Sequence, residues 1–270
     1  MKKKFKVIGV LLSAVLLVLS LIGCGGKNEN ESSIESIKKR GTIKIGVFSD
    51  KPPFGYVDSN GINQGYDVEI AKEIAKDLFG DETKVEFVLV EAASRVEFLQ
   101  ANKVDIILAN FTVTNERKEK VDFANPYMKV ALGVVSKDGT VITDVNELKG
   151  KKLIVNKGTT ADAYFSKNYP DMELLKFDQN TEAFEALKDG RGAALAHDNT
   201  LLFAWAVENK GYTVGIKNLG DEDVIAPAVK KGDTELLNWL NDEINKLSKE
   251  GKIKEAYDKT LKPAYGDTVD

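Results

Sequence analysis

Apolar positions recur along the chain with two spacings, one typical of strands and one typical of helices. Residues 42–47 alternate apolar and polar side chains, which predicts a strand, and residues 84–90 alternate again with Leu89 on the inward side. Between them, apolar residues at helical spacing over residues 66–79 predict an amphipathic helix that ends at Gly80. This part of the chain is therefore expected to run strand, helix, strand.

The same two patterns continue to the end of the chain. Further strands are predicted at residues 104–108, 127–136, 152–155, 174–177, 193–196 and 224–229. Further helices are predicted at residues 94–101, 115–120, 144–149, 160–167, 181–189, 199–208, 233–249 and 252–261. Strands and helices that alternate through short connections predict an α/β protein with largely parallel sheets. Ligands of such sheets bind near the strand-to-helix loops.

The beginning of the chain follows a different pattern. Four lysines among the first six residues precede an apolar stretch at residues 7–22. This stretch of 16 residues is shorter than the roughly 20 that a membrane-spanning helix needs. A secretory signal over residues 1–23 is therefore favoured over a membrane anchor helix.

Residues 21–24, Leu-Ile-Gly-Cys, resemble the lipobox of bacterial lipoproteins. The resemblance implies cleavage before Cys24 and attachment of a diacylglyceryl group to its sulfur. Residues 24–34 then form a polar tether. The acyl chains are expected to anchor the exported protein to the cell membrane, on its extracellular or periplasmic side.

Composition removes several classes of function. The chain has 38 basic residues spread among 42 acidic ones, so it lacks the basic stripe of a nucleic-acid-binding protein. It has one Cys and one His, which excludes zinc fingers, disulfide frameworks and Cys–His nucleophilic pairs. No metal and no cofactor are expected.

Four stretches carry a recognisable pattern. They are Ile-Gly-Val with Lys-Pro-Pro-Phe-Gly-Tyr at residues 45–56, Gly-Tyr-Asp-Val-Glu-Ile-Ala at residues 65–71, a segment with Asn-Phe-Thr-Val-Thr-Asn-Glu-Arg at residues 105–127, and Asn-Lys-Gly-Thr-Thr-Ala-Asp at residues 156–162. Together they resemble the polar amino-acid family of extracellular solute-binding proteins, the capture subunits of ABC importers. The resemblance extends over residues 38–265.

The resemblance implies the two-lobed type II periplasmic-binding-protein fold. Lobe 1 is expected to comprise residues 35–130 and 226–270, and lobe 2 residues 131–225. Extended segments near residues 130–134 and 224–227 are expected to form the hinge. The ligand would lie in the cleft between the lobes and be trapped when the hinge closes.

The resemblance also assigns residues to the two ends of an α-amino acid. Arg117 matches the arginine that grips the α-carboxylate, because its rigid fork can donate two parallel hydrogen bonds. Thr112 matches the hydroxyl donor beside it, and Asn110 is expected to help mainly through its backbone. Asp198 matches the partner of the α-ammonium. The alternatives are a surface position for Arg117 and capping of the following helix by Asp198.

Two threonines lie at the start of a predicted helix. Thr159 and Thr160 follow Gly158 at a helix N-terminus, where free backbone N–H groups attract a carboxylate. Capping by Thr160 is the alternative. Tyr164 lies one helical turn later and is expected either to reach the cleft or to pack in the core.

Two cations depart from the general family pattern. Many relatives hold the ligand between aromatic side chains, whereas this chain has Lys51 at the first such position and Arg95 close to the second. Together with residues 91–95, Glu-Ala-Ala-Ser-Arg, these cations resemble the aspartate/glutamate-binding branch. With Arg117 they offer three positive charges against Asp198, which suits two carboxylates and one ammonium. Solvent exposure of both cations is the alternative.

The sequence therefore predicts a monomeric, non-enzymatic protein that captures aspartate or glutamate and delivers it to an ABC importer permease. Another polar amino acid, such as glutamine or cystine, is the first alternative. An enzyme resembling cyclohexadienyl dehydratases has the same fold, but it needs a general acid over an apolar pocket, and the cationic cleft loops do not favour that. A surface adhesin is a further alternative.

Overall fold

The structure is a computed structural model that describes residues 33–265. The expected signal peptide at residues 1–23, the lipidation site Cys24 and most of the tether at residues 24–34 lie outside the described residues. Among the residues described, no helix is both long and apolar enough to cross a membrane.

Helices and strands alternate along the described chain. The helices are α1 (Ser33–Arg40), α2 (Tyr66–Phe79), α3 (Arg95–Gln100), α4 (Asn115–Lys118), α5 (Thr160–Asn168), α6 (Asn180–Lys188), α7 (Asn199–Glu208), α8 (Thr234–Lys249) and α9 (Lys252–Tyr265). The strands are β1 (Ile43–Val47), β2 (Asp50–Lys51), β3 (Gly55–Val57), β4 (Asn63–Gln64), β5 (Val85–Leu89), β6 (Ile106–Ile107), β7 (Val121–Phe123), β8 (Met128–Lys137), β9 (Leu153–Asn156), β10 (Leu174–Phe177), β11 (Ala194–Asp198), β12 (Tyr212–Ile225) and β13 (Ala228–Lys230).

Two five-stranded sheets organise these elements, in the orders β5-β1-β6-β13-β7 and β10-β9-β11-β8-β12. A small three-stranded sheet, in the order β2-β3-β4, contacts α2. We call the first five-stranded sheet, its helices and this small sheet lobe 1, and the second five-stranded sheet with its helices lobe 2. In each five-stranded sheet three neighbouring strands are parallel, and the two strands at the other side are antiparallel to their neighbours. The two-lobed α/β fold is confirmed. The sheets are mixed because the chain enters and leaves lobe 2 through the antiparallel strands.

The two connections between the lobes run side by side. Strands β8 and β12 pair where they leave lobe 1, with Val130 opposite Asp223 and Met128 opposite Ile225. These are the segments expected to form the hinge. We place the lobe boundaries beside them, at residues 130 and 226, as a proposal.

Strand β12 differs most from the sequence prediction. One strand was expected at residues 224–229, but β12 ends at Ile225 and β13 begins at Ala228, with Pro227 between them. Proline has no N–H to donate to a sheet, so it interrupts the pairing. The rest of β12 was not predicted, because its polar residues 217–223 do not alternate and it is held by irregular pairing with β8.

Other elements agree with the apolar pattern more closely. Helix α2 spans the predicted residues and ends at Gly80, which has φ 75°. It buries Ile70 and Ile74 in the same apolar cluster as Ile45 of β1. The prediction for Leu89 is wrong: this residue ends the edge strand β5, and its exposed fraction is 49%.

Candidate functional site

A small cavity lies where the two lobes meet. Its walls come from the loops that follow β1, β5, β6 and β9, from the ends of β2 and β11, and from the first residues of α3, α4 and α5. The residues that line it are Phe48, Lys51, Ala92, Arg95, Asn110, Thr112, Arg117, Thr159, Thr160, His197 and Asp198. All the predicted ligand residues except Tyr164 are therefore brought together in one place.

Asp198, at the end of β11, is the centre of the polar contacts. Its Oδ2 lies 3.2 Å from the Nζ of Lys51 and accepts a hydrogen bond from the Nδ2 of Asn110 at 2.6 Å. Its Oδ1 accepts a longer hydrogen bond, 3.4 Å, from the hydroxyl of Thr160. Asp198 directly precedes α7, but its side chain makes no capping bond, which excludes the capping alternative. The carboxylate of lobe 2 is thus held by donors from both lobes.

The charges of this pair are buried. The exposed fractions of Lys51 and Asp198 are 1% and 3%. Burial alone would raise the pKa of Asp198, but the neighbouring Lys51 and His197 hold that pKa below its usual range. Burial lowers the pKa of Lys51, and Asp198 opposes this shift. Lys51 therefore contacts Asp198 inside the protein, and the exposed alternative for Lys51 is excluded.

His197 is a structural neighbour of the pair. It is buried, and burial together with the Lys51 charge lowers its pKa, so the imidazole is neutral at pH 7. Its Nδ1 accepts the backbone N–H of Asp198 at 2.7 Å. This bond fixes the direction of Asp198 at the start of α7.

Arg95 is also buried, with an exposed fraction of 2%. Four backbone carbonyls accept hydrogen bonds from its guanidinium, at 3.0 to 3.3 Å: those of Ala92, Ala109, Asn110 and Gly158. A guanidinium has five N–H donors, so most of them are already used. The exposed alternative for Arg95 is excluded, and its side chain is tied into the walls of the cavity.

Arg117 retains more of its donors. Its Nη1 donates to the carbonyl of Thr112 at 2.6 Å and its Nη2 to the carbonyl of Gly158 at 2.9 Å. Three of its N–H groups thus have no acceptor within residues 33–265. Thr114 caps the start of α4, since its hydroxyl oxygen accepts the backbone N–H of Arg117 at 3.2 Å. Arg117 can therefore offer a fork of donors to a carboxylate.

The two threonines have different positions. Thr159, and not Thr160, caps α5, because its hydroxyl oxygen accepts the N–H of Asp162 at 3.2 Å. The Thr160 hydroxyl is thereby free to face Asp198. The structure does not bring Tyr164 to the cavity: its ring packs 5.3 Å from the ring of Phe165 and 6.1 Å from that of Tyr169.

Sequence reasoning missed a buried carboxyl group behind the cavity. Asp67 in α2 accepts the backbone N–H of Asn110 at 2.8 Å and the hydroxyl of Tyr127 at 2.7 Å. Burial raises the pKa of Asp67 to about 7. The first bond holds Asn110 at φ 42°, so its side chain contacts Asp198, whereas the sequence suggested mainly a backbone role. The only sequence signal was the position of Asp67 within the motif at residues 65–71.

Several features of the cavity suit a zwitterion. Arg117 brings free donors and Asp198 brings a carboxylate to the same cavity. The Oδ1 of Asn110 is buried and has no hydrogen-bond partner among the described residues, so it is available as an acceptor. Within residues 33–265, no group of three His, Cys, Asp or Glu side chains could hold a metal ion.

Solved structures of two other proteins are similar to this chain. A solute receptor for L-cysteine from Neisseria gonorrhoeae is 64% identical, with a TM-score of 0.86 over 88% of this chain and 96% of that chain. A cysteine-binding protein from Campylobacter jejuni is 62% identical, with a TM-score of 0.87 over the same shares of the two chains, 88% and 96%.

Curated sequences and a family model extend the similarity. The ABC transporter glutamine-binding protein GlnH of Bacillus subtilis is 39% identical over 97% of this chain and 98% of its own length. The model of bacterial extracellular solute-binding proteins, family 3, matches residues 43–263. The chain therefore belongs to the bacterial extracellular solute-binding proteins of family 3.

Proposed function

We propose that the chain captures L-cysteine on the outer side of the cell membrane and delivers it to the permease of an ABC importer. Two similar structures, 64% and 62% identical, carry names that describe cysteine receptors, and the curated relative at 39% identity is named for glutamine. These names fit the alternative of another polar amino acid better than aspartate or glutamate. They are names of binding proteins, so we do not propose an enzyme.

The main observation in favour of a neutral ligand side chain is that both cavity cations, Lys51 and Arg95, already have partners in the protein. The expectation of an acidic ligand assumed that Lys51 and Arg95 would pair with the carboxylate of the ligand side chain. In the structure Lys51 is paired with Asp198, and Arg95 donates to four backbone carbonyls. Each cation already has acceptors within the protein, so neither requires a side-chain carboxylate of the ligand to satisfy its donors.

Each end of the amino acid would be held by groups from both lobes. Three free donors of Arg117 would receive the α-carboxylate, assisted by the N-terminus of α5 at Thr159 and Thr160. The α-ammonium would donate to the Oδ1 of Asp198, which has only the 3.4 Å bond from Thr160, and to the orphan Oδ1 of Asn110. The ligand would thus add one positive and one negative charge to the cavity.

The close contact between the lobes supports a short side chain. The Nζ of Lys51 in lobe 1 lies 3.2 Å from the Oδ2 of Asp198 in lobe 2. A longer side chain would hold the lobes apart and lengthen the contacts between Lys51 and Asp198. We also propose that Cys24 carries the lipid anchor that keeps the protein near its permease.

Calorimetric titration of the purified protein tests the ligand. L-cysteine under reducing conditions is expected to bind more tightly than glutamine, cystine, aspartate or glutamate. Aspartate or glutamate as the tightest ligand would contradict the neutral side chain. Glutamine as the tightest ligand would overturn cysteine but leave the neutral class in place.

A further inference from the structure

Helix α6 of lobe 2 lacks a cap of its own. The residue at the capping position is Gln179, whose side chain makes no bond to the free N–H groups of the helix. Its Nε2 instead donates to the Oε1 of Glu91 in lobe 1, at 2.5 Å. The N-terminus of α6 would therefore be left unsatisfied by lobe 2 alone.

Asp50 of lobe 1 supplies the missing cap. Its Oδ2 accepts the backbone N–H of Asn180 at 2.6 Å and that of Thr181 at 3.2 Å. Its Oδ1 accepts the side-chain Nδ2 of Asn180 at 3.0 Å. A carboxylate at this position satisfies two orphan donors and also faces the positive end of the helix dipole.

Asp50 does not line the cavity. It lies beside it in β2, and the next residue, Lys51, points inward to Asp198. The consecutive residues Asp50 and Lys51, which have opposite charges, thus contact lobe 2 at two places. Lys51 makes its contact inside the cavity, and Asp50 makes its contact outside. The outer contact involves no group that would touch a ligand.

We propose that Asp50 is a positioning residue that holds the lobes closed by capping α6 across the lobe boundary. The cap forms only when the lobes meet, because Asp50 and α6 belong to different lobes. Part of the free energy that keeps a ligand trapped therefore comes from a contact with the helix, independent of which amino acid is bound. The inference rests on the proposed capture function only in requiring that the cleft opens and closes.

Amide hydrogen exchange measures this cap directly. In the full-length protein, addition of an equimolar mixture of the twenty standard amino acids should increase the protection of the amides of Asn180 and Thr181. In Asp50→Ala this protection should fall about two- to thirtyfold, the usual effect of losing a helix cap. Asp50→Asn keeps an acceptor but not the charge, so its protection should lie between those of wild type and Asp50→Ala.

Asp81→Ala is the matched control. Asp81 caps the short 3-10 helix Glu82–Lys84 within lobe 1, by accepting the N–H of Thr83 at 2.9 Å. Its loss should leave the amides of Asn180 and Thr181 unchanged. Wild-type protection of these two amides in both Asp50→Ala and Asp50→Asn would overturn the proposal.

Stopped-flow dissociation of L-cysteine separates this proposal from the choice of ligand. Asp50→Ala should release cysteine about two- to thirtyfold faster than wild type, and Asp81→Ala at the wild-type rate. If wild type does not bind cysteine, the proposed ligand fails, but the exchange measurement in the mixture still decides the role of Asp50.

Discussion

The two lobes contribute different kinds of polar groups to the surface where they meet. Lobe 1 brings three cations, Lys51, Arg95 and Arg117, whereas lobe 2 brings the carboxylate of Asp198 and the carbonyl of Gly158. The carbonyl accepts hydrogen bonds from both arginines, at 3.3 and 2.9 Å, and the carboxylate pairs with the lysine. The lobes are therefore electrostatically complementary, and closure itself satisfies groups that an open cleft would leave to water.

Two buried carboxyl groups, one in each lobe, differ in how their burial is compensated. Asp198 faces a lysine, and despite its burial its pKa is held below the usual range. Asp67 in lobe 1 faces mainly the neutral donors Asn110 and Tyr127, and burial raises its pKa to about 7. Burial of a carboxyl group is therefore tolerated in two ways here, by a counter-ion across the cleft or by a raised pKa within one lobe.

Removal of Arg117, the cation with free N–H donors, should reduce the ligand affinity the most. Arg117→Ala should weaken binding of every amino acid ligand by about 3–5 kcal/mol, since the α-carboxylate would be buried without its partner. Calorimetry checks this. Lys118→Ala is the control, because it removes a neighbouring exposed charge from the same helix. An affinity within threefold of wild type for Arg117→Ala would exclude the carboxylate role.

Loss of the pair between the lobes should have the next largest effect. Lys51→Met should weaken ligand binding by about 2–3 kcal/mol, because closure would then bury Asp198 without its counter-ion. If the lysine serves closure, neutral and acidic ligands should lose affinity alike. A loss confined to aspartate and glutamate would show instead that Lys51 contacts the ligand side chain.

A close approach of the backbones can be tested without changing any charge. A Cβ atom at Gly158 would lie 2.6 Å from the Cα of Ala93 in lobe 1. Gly158→Ala should therefore keep the lobes apart and weaken binding by about 1–3 kcal/mol, as measured by calorimetry and by small-angle scattering of the bound form.

Gly150→Ala is the matched control for Gly158→Ala. Gly150 has φ +74° and Gly158 has φ +72°, but a Cβ at Gly150 would have no neighbour within 4 Å. Both variants carry the same backbone strain, so both should lose some stability. Only Gly158→Ala should lose affinity, and equal affinities would contradict the contact between lobes.

The smallest effect on affinity is expected at Asp67, which lies behind the cavity wall. Its pKa rises from 3.8 to about 7 on folding, so the folded protein binds the proton more tightly than the unfolded chain. Stability contributed by this group is present below about pH 4 and is lost as the pH rises towards 7.

Asp67→Asn should remove that part of the pH dependence and change affinity by less than about threefold. Denaturant unfolding between pH 4 and pH 7 checks the first point. A slope of stability against pH equal to that of wild type would show that Asp67 does not titrate in this range.

The spacing of apolar residues along the chain was sufficient to predict much of the fold. Helix α2 was predicted with its bounds because its apolar spacing, its acidic first turn and Gly80 all agree. Strand β12 was not, because its polar segment is extended only through pairing with β8. Leu89 was misplaced because alternation alone does not show which strand lies at the edge of a sheet.

The amino-acid sequence by itself determined the family, the two-lobed fold and nearly all the residues that line the cavity. Only the tertiary structure decided which of their charges meet. Lys51 and Asp198 are separated by 147 positions in the chain, and Asp50 and Asn180 by 130. No local spacing records such pairs. They exist because the two lobes present complementary groups across the cleft. A lysine faces a carboxylate, and a second carboxylate faces the free N–H groups of a helix.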